Sequence, residues 1–529
     1  MKKLTLLITL FWSLNSIAQI GDYNISVRPH TLTNLPGLQS FAWAKQNHYW
    51  LIIGGRLDGL HRRQPNQAFA ASGNNTNIYL INTLTNEVKS ASVNVLPAPI
   101  SEQLQSTNME FHQHENTLYI AGGYGYSTTA ANHITHNKLS AINVGGLIQA
   151  IDNGASILPH IKQISSENMA VTGGHLGMIN DTLYLVCGNR FDGRYNPMGG
   201  PSFTQAYTNQ IRKFTVVNTN DTFYISSYVA ATDSINLHRR DYNFTPNIDV
   251  NGKEWYTVWT GVFQYNQDLP WLNTVDVSPS GHQVNNGFNQ YLSQYHSANI
   301  PIFDSANQNM YTIFMGGISQ FYANENGQIV QNDSVPFVKT ISYVKRDANG
   351  NLSEHRFAEE MPGFLGAGSE FIPSDALASY HNEVLKLNSN NSDSIMVGYV
   401  VGGINSSQRN IFWINTGTQS TANNTVYEVW LTKTKNTSTL KIDDNNVWNI
   451  KVYPNPAQKH ITISMPESNK NRNIKVSLSN LSGELIKQLY EGKYTDTMHL
   501  DLPNVNKGTY YLTIQRGQML HVEKLVIGQ

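Results

Sequence analysis

A chain of 529 residues with 40% hydrophobic, 10% aromatic and only 14% charged residues is too long for one ordinary domain, and its charged fraction falls well below the roughly 25% of soluble domains. Its 36 basic and 37 acidic residues leave a net charge of −1, which excludes the basic field that draws proteins to nucleic acid or anionic membranes. The single cysteine, Cys187, excludes an internal disulfide and a Cys-rich zinc centre, so burial and strand pairing must hold the fold.

Residues 1–18 read as a secretory signal peptide: Lys2 and Lys3, an apolar run from Leu4 to Leu14, then Ser16 and Ala18 at a small-x-small cleavage site before Gln19. The run falls short of the roughly 20 apolar residues that a membrane anchor needs. No later stretch qualifies as a span.

Between residues 19 and 433 one pattern recurs. An apolar, β-branched or aromatic run ends in a glycine pair or its degenerate form: Leu51 to Gly55, Leu118 to Gly123, Leu183 to Gly188, Tyr256 to Gly261, Tyr311 to Gly317, and Val397 to Gly403. The first members of the pairs (54, 122, 187, 260, 316 and 402) are 68, 65, 73, 56 and 86 residues apart, and in two copies Cys187 and Thr260 replace the first glycine. Further strand-like segments lie between them, among them Ile78–Ile81, Ile211–Phe214, Ile341–Val344 and Val426–Leu431. Helical periodicity is nearly absent.

A strand that runs into two glycines can turn sharply and approach a neighbouring backbone near a crowded axis. The pattern resembles the kelch repeat, in which the glycine pair ends the second strand of each four-stranded blade. The resemblance implies an all-β, six-bladed kelch-like β-propeller, with blades longer than the ~50 residues of standard repeats. The spacing leaves room for a seventh, degenerate blade. The segment around Tyr23 to Arg28 is expected to supply the last strand of the final blade and close the ring.

A polar stretch over 434–449 has the composition of a linker. A second short-strand pattern occupies 450–529: Tyr453-Pro454-Asn455-Pro456, alternating His460–Ser464, Ile474–Leu478, a Ser482-Gly483 turn before Glu484–Ile486, Gly508–Ile514, and Val522–Ile527. By itself this predicts a small β-sandwich, which an appended carbohydrate-binding or fibronectin-like module would also satisfy. The series Tyr453, Pro454, Asn455, Pro456, Gly483, Gly508, Tyr510 and Lys524 resembles the type A sorting domain of the type IX secretion system, of the Bacteroidota type. The resemblance implies passage across the outer membrane, with the secretion machinery and its surface peptidase as partners and cleavage near Lys441 to Asn446.

Functional residues are sought at the channel mouth where loops following the glycine pairs converge. Arg56-Leu57-Asp58-Gly59 and Arg190-Phe191-Asp192-Gly193 share a motif, each followed by a further arginine, Arg62 or Arg194. Arginine forks suit carboxylates, and Tyr124, Tyr126, Tyr195 and Tyr265 could stack on sugar faces. The same motif also reads as a turn in which Arg pairs locally with Asp. The pairs His112/His114 and His133/His136 lack a third metal ligand, so no metal or cofactor is expected. Cys187 lies within a strand, which argues against a copper radical oxidase of the galactose oxidase type. A six-bladed kelch sialic-acid mutarotase offers the better enzymatic comparison, with Glu110, His175, Arg239, Arg240, Asp241 and His296 near predicted first strands. Gly173-Gly174 and Gly199-Gly200 read as loop glycines, and no P-loop, zinc-protease helix or nucleophile elbow occurs. The expectation is a secreted or surface propeller that binds a glycan or protein ligand, with a carbohydrate-active enzyme as the rival.

Overall fold

A computed structural model describes residues 19–200, 202–434, 450–465, 472–481, 483–494, 497–517 and 519–528. The expected leader, nearly all of the expected linker and the expected cleavage region lie outside the described residues. The chain divides into two compact units at Lys433/Thr434.

The first unit contains six successive four-stranded antiparallel blades. Blade 1 runs Ala42–Gln46, Tyr49–Ile53, Asn77–Asn82, Glu87–Ser92. The first strands of blades 2 to 6 are Thr107–His114, His175–Ile179, Asn243–Ile248, Asn299–Asp304 and Ser369–Pro373. Burial follows position within the blade. The second strand of blade 1 is buried from Trp50 to Ile53, because both of its faces meet other blades, whereas the outermost strand Glu87–Ser92 contains no buried residue. This explains why the second strands read as continuous apolar runs and the outer ones do not.

Every pair of successive blades shares an apolar core. Ile53 and Leu80 of blade 1 meet Leu118 and Ile142 of blade 2. Tyr119 and Ala141 meet Leu183 and Phe214 of blade 3, and Tyr184 and Ile211 meet Val258 and Val275 of blade 4. Trp259 meets Phe314 of blade 5, Ile313 and Ile341 meet Val397 and Val429 of blade 6, and Val401 and Val426 return to Trp50 and Ile81 of blade 1. Burial of each such side chain contributes about 1.5–3 kcal/mol, and ring closure adds the core between blades 6 and 1 to the other five.

Two sets of backbone hydrogen bonds tie the blades together around the axis. One is a closed circuit: Asn108 N–H donates to Ser40 O, Ser40 to Gly368, Gly368 to His296, His296 to Asp241, Asp241 to Gly173, and Gly173 to Asn108, at 2.8–3.4 Å. In the other, the second glycine of each pair donates to the next blade: Gly55 to Ser106 O, Gly123 to Val171, Gly188 to Arg239, Gly261 to Gln294, Gly317 to Leu365, and Gly403 to Leu38. The first glycine is required by space as well as by its positive φ. A Cβ at Gly122, Gly316 or Gly402 would run into the carbonyl oxygen of Val171, Leu365 or Leu38. Cys187 and Thr260 occupy the same position at φ +50° and +55°. Gly173 lies in a loop as expected, and its backbone is one of the six members of the axial circuit.

Closure comes from the N-terminal segment. Tyr23–His30 pairs antiparallel with Val426–Lys433 and forms the outer strand of blade 6. Blade 2 is extended, because its second strand continues past the glycine pair to Ser127 and pairs with Asn132–Thr135, which leads on to Asn189–Gly193 and Phe203–Tyr207. This ribbon joins the loops of blades 2 and 3. Two short α-helices, Ala98–Leu104 and Val144–Asp152, depart from the all-strand pattern. Val144, Leu147, Ile148 and Ile151 bury into the blade 1–2 core.

The second unit is a β-sandwich of a three-stranded sheet (Lys451–Tyr453, His460–Ser464, Met498–Asp501) and a four-stranded sheet (Leu485–Lys493, Asn473–Ser479, Gly508–Arg516, Met519–Ile527). Ile461 and Ile463 of one sheet and Val476, Leu478, Leu512 and Ile514 of the other form its core.

Candidate functional site: the axial channel

The first strands line a channel with three compartments. At the glycine-pair end lies a cavity of about 130 Å³ bordered by His61, Phe69, Tyr124, Phe191, Tyr195, Arg240 and Asp241. A waist of about 20 Å³ follows, bordered by Ser40, Asn108, Gly173, Asp241 and His296 of the axial circuit. At the opposite end a basin of about 360 Å³ is lined from all six first strands or their flanks, with His175, His296 and Glu370 at its inner end. The waist has room for about one water molecule, so the two ends are separate compartments for any larger ligand.

The Arg56 and Arg190 loops converge over the glycine-pair mouth. Arg194 Nε donates to Ala68 O at 2.8 Å, Asn66 N–H donates to Asn196 Oδ1 at 3.1 Å, and the His61 and Tyr195 rings meet edge-on at 5.0 Å. The two motif arginines themselves turn to local partners. Arg56 is 1% exposed; its Nε and Nη2 each lie 2.6 Å from an Asp58 carboxylate oxygen, and Nη1 donates to Asn74 Oδ1 at 3.0 Å. Arg190 donates to Asp192 at 2.7 Å and to Glu167 at 2.8 Å. Arg62 donates to Gln67. Tyr124 donates to Gly193 O at 2.8 Å, Tyr126 packs on His133, and Tyr265 packs on His238 with 66% of its surface exposed.

Arg240 is different. Its guanidinium lies 5.6 Å from the Phe191 ring, 5.9 Å from Tyr207 and 5.6 Å from Phe263. Nη1 reaches Asn189 Oδ1 only at 3.5 Å, Nε is 3.6 Å from Asp241 Oδ2, and buried Nε has no hydrogen-bond partner. Its five donors thus meet few acceptors within the aromatic collar. Burial raises the Asp241 carboxyl above its usual range, against the pull of Arg240 and His296.

Past the waist, His296 Nε2 lies 2.9 Å from Glu370 Oε1. Burial disfavours the imidazolium, but Glu370 and Asp241 outweigh it and raise His296 above its ordinary value. His175 meets His296 edge-on at 5.0 Å, and its Nε2 donates to Tyr242 O at 2.7 Å. Burial and the neighbouring imidazole push His175 down to about 3, so it stays neutral.

Other candidates serve the scaffold. Arg239 is fully buried and donates to Asn236 O, Thr260 O, Asn273 O and Asn273 Oδ1. Glu110 Oε1 accepts from Gly174 N at 2.9 Å, and burial lifts its carboxyl well above the usual range. Burial likewise pushes the Cys187 thiol up to about 12. Among the described residues no group of three or more His, Cys, Asp or Glu is placed to hold a metal ion. Sequence reasoning passed over Glu370, Asn189 and Phe263. The signal for Glu370 lay in register, since it stands two residues after Gly368 of the axial circuit, as Glu110 follows Asn108 and His175 follows Gly173.

These features define a six-bladed propeller with a two-ended axial channel, followed by a small β-sandwich. Residues 451–528 match the family described as the secretion system C-terminal sorting domain, and the protein is accordingly an exported one, delivered by type IX secretion to the cell surface or beyond. No curated protein matches the chain. Among solved structures, it is similar to one titled "Structure of YjhT" (12% identity, 74% of this chain and 99% of that one, TM-score 0.39). It is also similar to an α-L-arabinanase of Penicillium chrysogenum complexed with arabinobiose (12%, 74% and 97%, TM-score 0.34) and to a glycoside hydrolase (9%, 93% and 95%, TM-score 0.26). At these scores the likenesses carry no functional argument. Among the described residues no helix is long and apolar enough to cross a membrane.

Proposed function

We propose that the mature protein is a secreted or surface-displayed kelch-like propeller that binds an anionic glycan at the glycine-pair mouth of its channel. The carrying observation is the Arg240 guanidinium, held in its collar of Phe191, Tyr207 and Phe263 with a buried Nε that lacks a hydrogen-bond partner. A carboxylate or sulfate entering there would satisfy donors that are otherwise costly to bury, while Tyr195 and Phe69 offer ring faces for stacking. Arg56 and Arg190 then act by shaping the loops, through their pairs with Asp58 and Asp192.

The mature chain and its Arg240→Gln variant, applied to an array of sialylated, uronate-containing, sulfated and neutral glycans, test the reading. Binding of acidic glycans that is lost in Arg240→Gln and kept in Arg190→Ala supports it. Absence of acidic binders, or binding indifferent to Arg240→Gln, refutes it.

One observation favours a carbohydrate-active enzyme as the second reading. The loops converge with Asp241 and His61 bordering the same cavity, so groups able to exchange protons adjoin the anion site. Turnover of bound acidic sugars that disappears in Asp241→Asn would decide for it.

A further inference from the structure

The larger basin at the opposite end of the channel is chemically unlike the Arg240 mouth. Its volume of about 360 Å³ falls within the roughly 300–1,000 Å³ typical of small-ligand sites. Only one ammonium group lines it, that of Lys45, and this is already taken up by Asp375 at 2.6 Å and Pro373 O at 2.9 Å. The other charged side chains lining it, apart from histidines, are Glu115, Glu370, Asp375 and Glu383. An anion would find no free cation there and several carboxylates, so the ligand class of the Arg240 mouth is excluded from the basin.

A cation is not required either. Glu370 already faces His296 at 2.9 Å, and its partner offsets its charge. The pair presents a carboxylate and an imidazole to the inner end of the basin. The neighbouring His175 spends Nε2–H on the Tyr242 carbonyl, so its Nδ1 is an acceptor. Donor and acceptor capacity is thus concentrated at the inner end, without a large net charge. The walls carry apolar rings: Trp43 and Phe111, both only partly buried, meet edge-on at 6.2 Å, and Phe371 of the neighbouring sixth first strand also lines the basin. Hydroxyl-sized polar capacity at one end and ring faces along the sides are what a pyranose needs, because a sugar ring has an apolar C–H face and a rim of hydroxyls.

We infer that the basin is a second binding site, for a single uncharged sugar ring whose hydroxyls engage the Glu370–His296 pair while one face lies on Trp43. The waist of about 20 Å³ is too narrow for a sugar, so this site fills from its own end and independently of Arg240. The inference does not depend on the anionic-glycan reading. A propeller with one acidic-sugar site and one neutral-sugar site would hold two strands, or two parts of one polymer, at opposite faces.

Titration of the mature chain with the methyl glycosides of glucose, galactose, mannose and N-acetylglucosamine, followed by saturation-transfer NMR and calorimetry, tests it. Methyl glucuronide serves as the charged comparator. At least one neutral glycoside is expected to bind, with affinity falling about tenfold or more in Glu370→Gln, because a hydrogen bond to a charged group is replaced by a weaker one. Trp43→Ala should abolish the ring-proton transfer, and Arg240→Gln should leave binding unchanged. Glu370→Gln is close to isosteric, so it remains informative if Trp43→Ala fails to fold. Failure of every neutral glycoside to bind, stronger binding of the glucuronide, or sensitivity to Arg240→Gln instead of Glu370→Gln would each overturn the inference.

Discussion

Thr260 Oγ1 lies 3.0 Å from the carbonyl of Gln294 in the next blade and shares its one proton between that oxygen and Trp259 O at 2.7 Å, at the position where four other blades have a glycine that lets the neighbouring carbonyl pass. The hydroxyl converts what would be a collision into a bond, and the adjoining Gly261-to-Gln294 bond is correspondingly the longest of its set at 3.3 Å. Thr260→Val keeps the shape and the positive φ but offers a methyl to the carbonyl. It should destabilise the propeller by about 1–3 kcal/mol, and Thr260→Gly should cost less. Urea unfolding of the two variants measures the order, and equal costs would contradict the role assigned to the hydroxyl.

The same geometry separates two costs at true glycines. Gly122 and Gly154 have nearly the same φ, +63° and +65°, but a Cβ at Gly122 meets the Val171 carbonyl whereas at Gly154 it meets nothing within 4 Å. Gly154→Ala should therefore lose only the left-handed strain, about 1–2 kcal/mol. Gly122→Ala adds a backbone collision at a blade interface and should lose roughly 3 kcal/mol or more, or fail to fold. Thermal unfolding of the two alanine variants side by side decides whether the pair is conserved in shape by torsion alone.

A buried imidazole beside the second glycine pair gives a pH signature. His136 is 2% exposed, and burial pushes it from 6.5 down to about 4. Between those values the unfolded chain takes up a proton that the folded chain refuses, so the contribution is unfavourable at low pH and vanishes above the unfolded value. The stability difference between wild type and His136→Gln should shift against the wild type by up to about 1.4 kcal/mol for each pH unit below 6.5. Denaturant titrations at about pH 7.5 and about pH 5 suffice, and parallel pH profiles would show that His136 is protonated in the fold.

The architecture was legible because it is periodic. Six apolar runs ending at glycine located the second strands, and the segment at Tyr23 to Arg28 was readable as the closing strand because a ring needs one. Strands Lys451–Tyr453 and Met498–Asp501 escaped notice, being short and without clear alternation. The site was far less legible. Arg56 and Arg190 carried the conspicuous motif, yet a guanidinium two residues from an aspartate satisfies itself locally. Arg240 looked ordinary in sequence because its collar comes from residues 191, 207 and 263, brought together only by the crossing of blades 2, 3 and 4. Glu370 has no motif at all, and only the register of the axial circuit marks it.

Asn455 joins the two ends of the sorting domain. Its Oδ1 accepts from Val526 N at 2.9 Å and its Nδ2 donates to Lys524 O at 2.7 Å, while Ala457 N donates to Val526 O at 2.7 Å. The Tyr453 to Pro456 motif and the basic-then-apolar terminus are thus one structural feature, which explains their joint occurrence in the sequence. Asn455→Ala removes both side-chain bonds and should cost about 1–3 kcal/mol in this small domain, whereas Asn455→Asp keeps the acceptor but sets a carboxylate oxygen against the Lys524 carbonyl. If the docked terminus is what the secretion machinery reads, Asn455→Ala and Asn455→Asp should both leave the protein cell-associated in a type IX-competent host. Full secretion of a destabilised Asn455→Ala chain would show that the machinery reads the terminal strand without its dock.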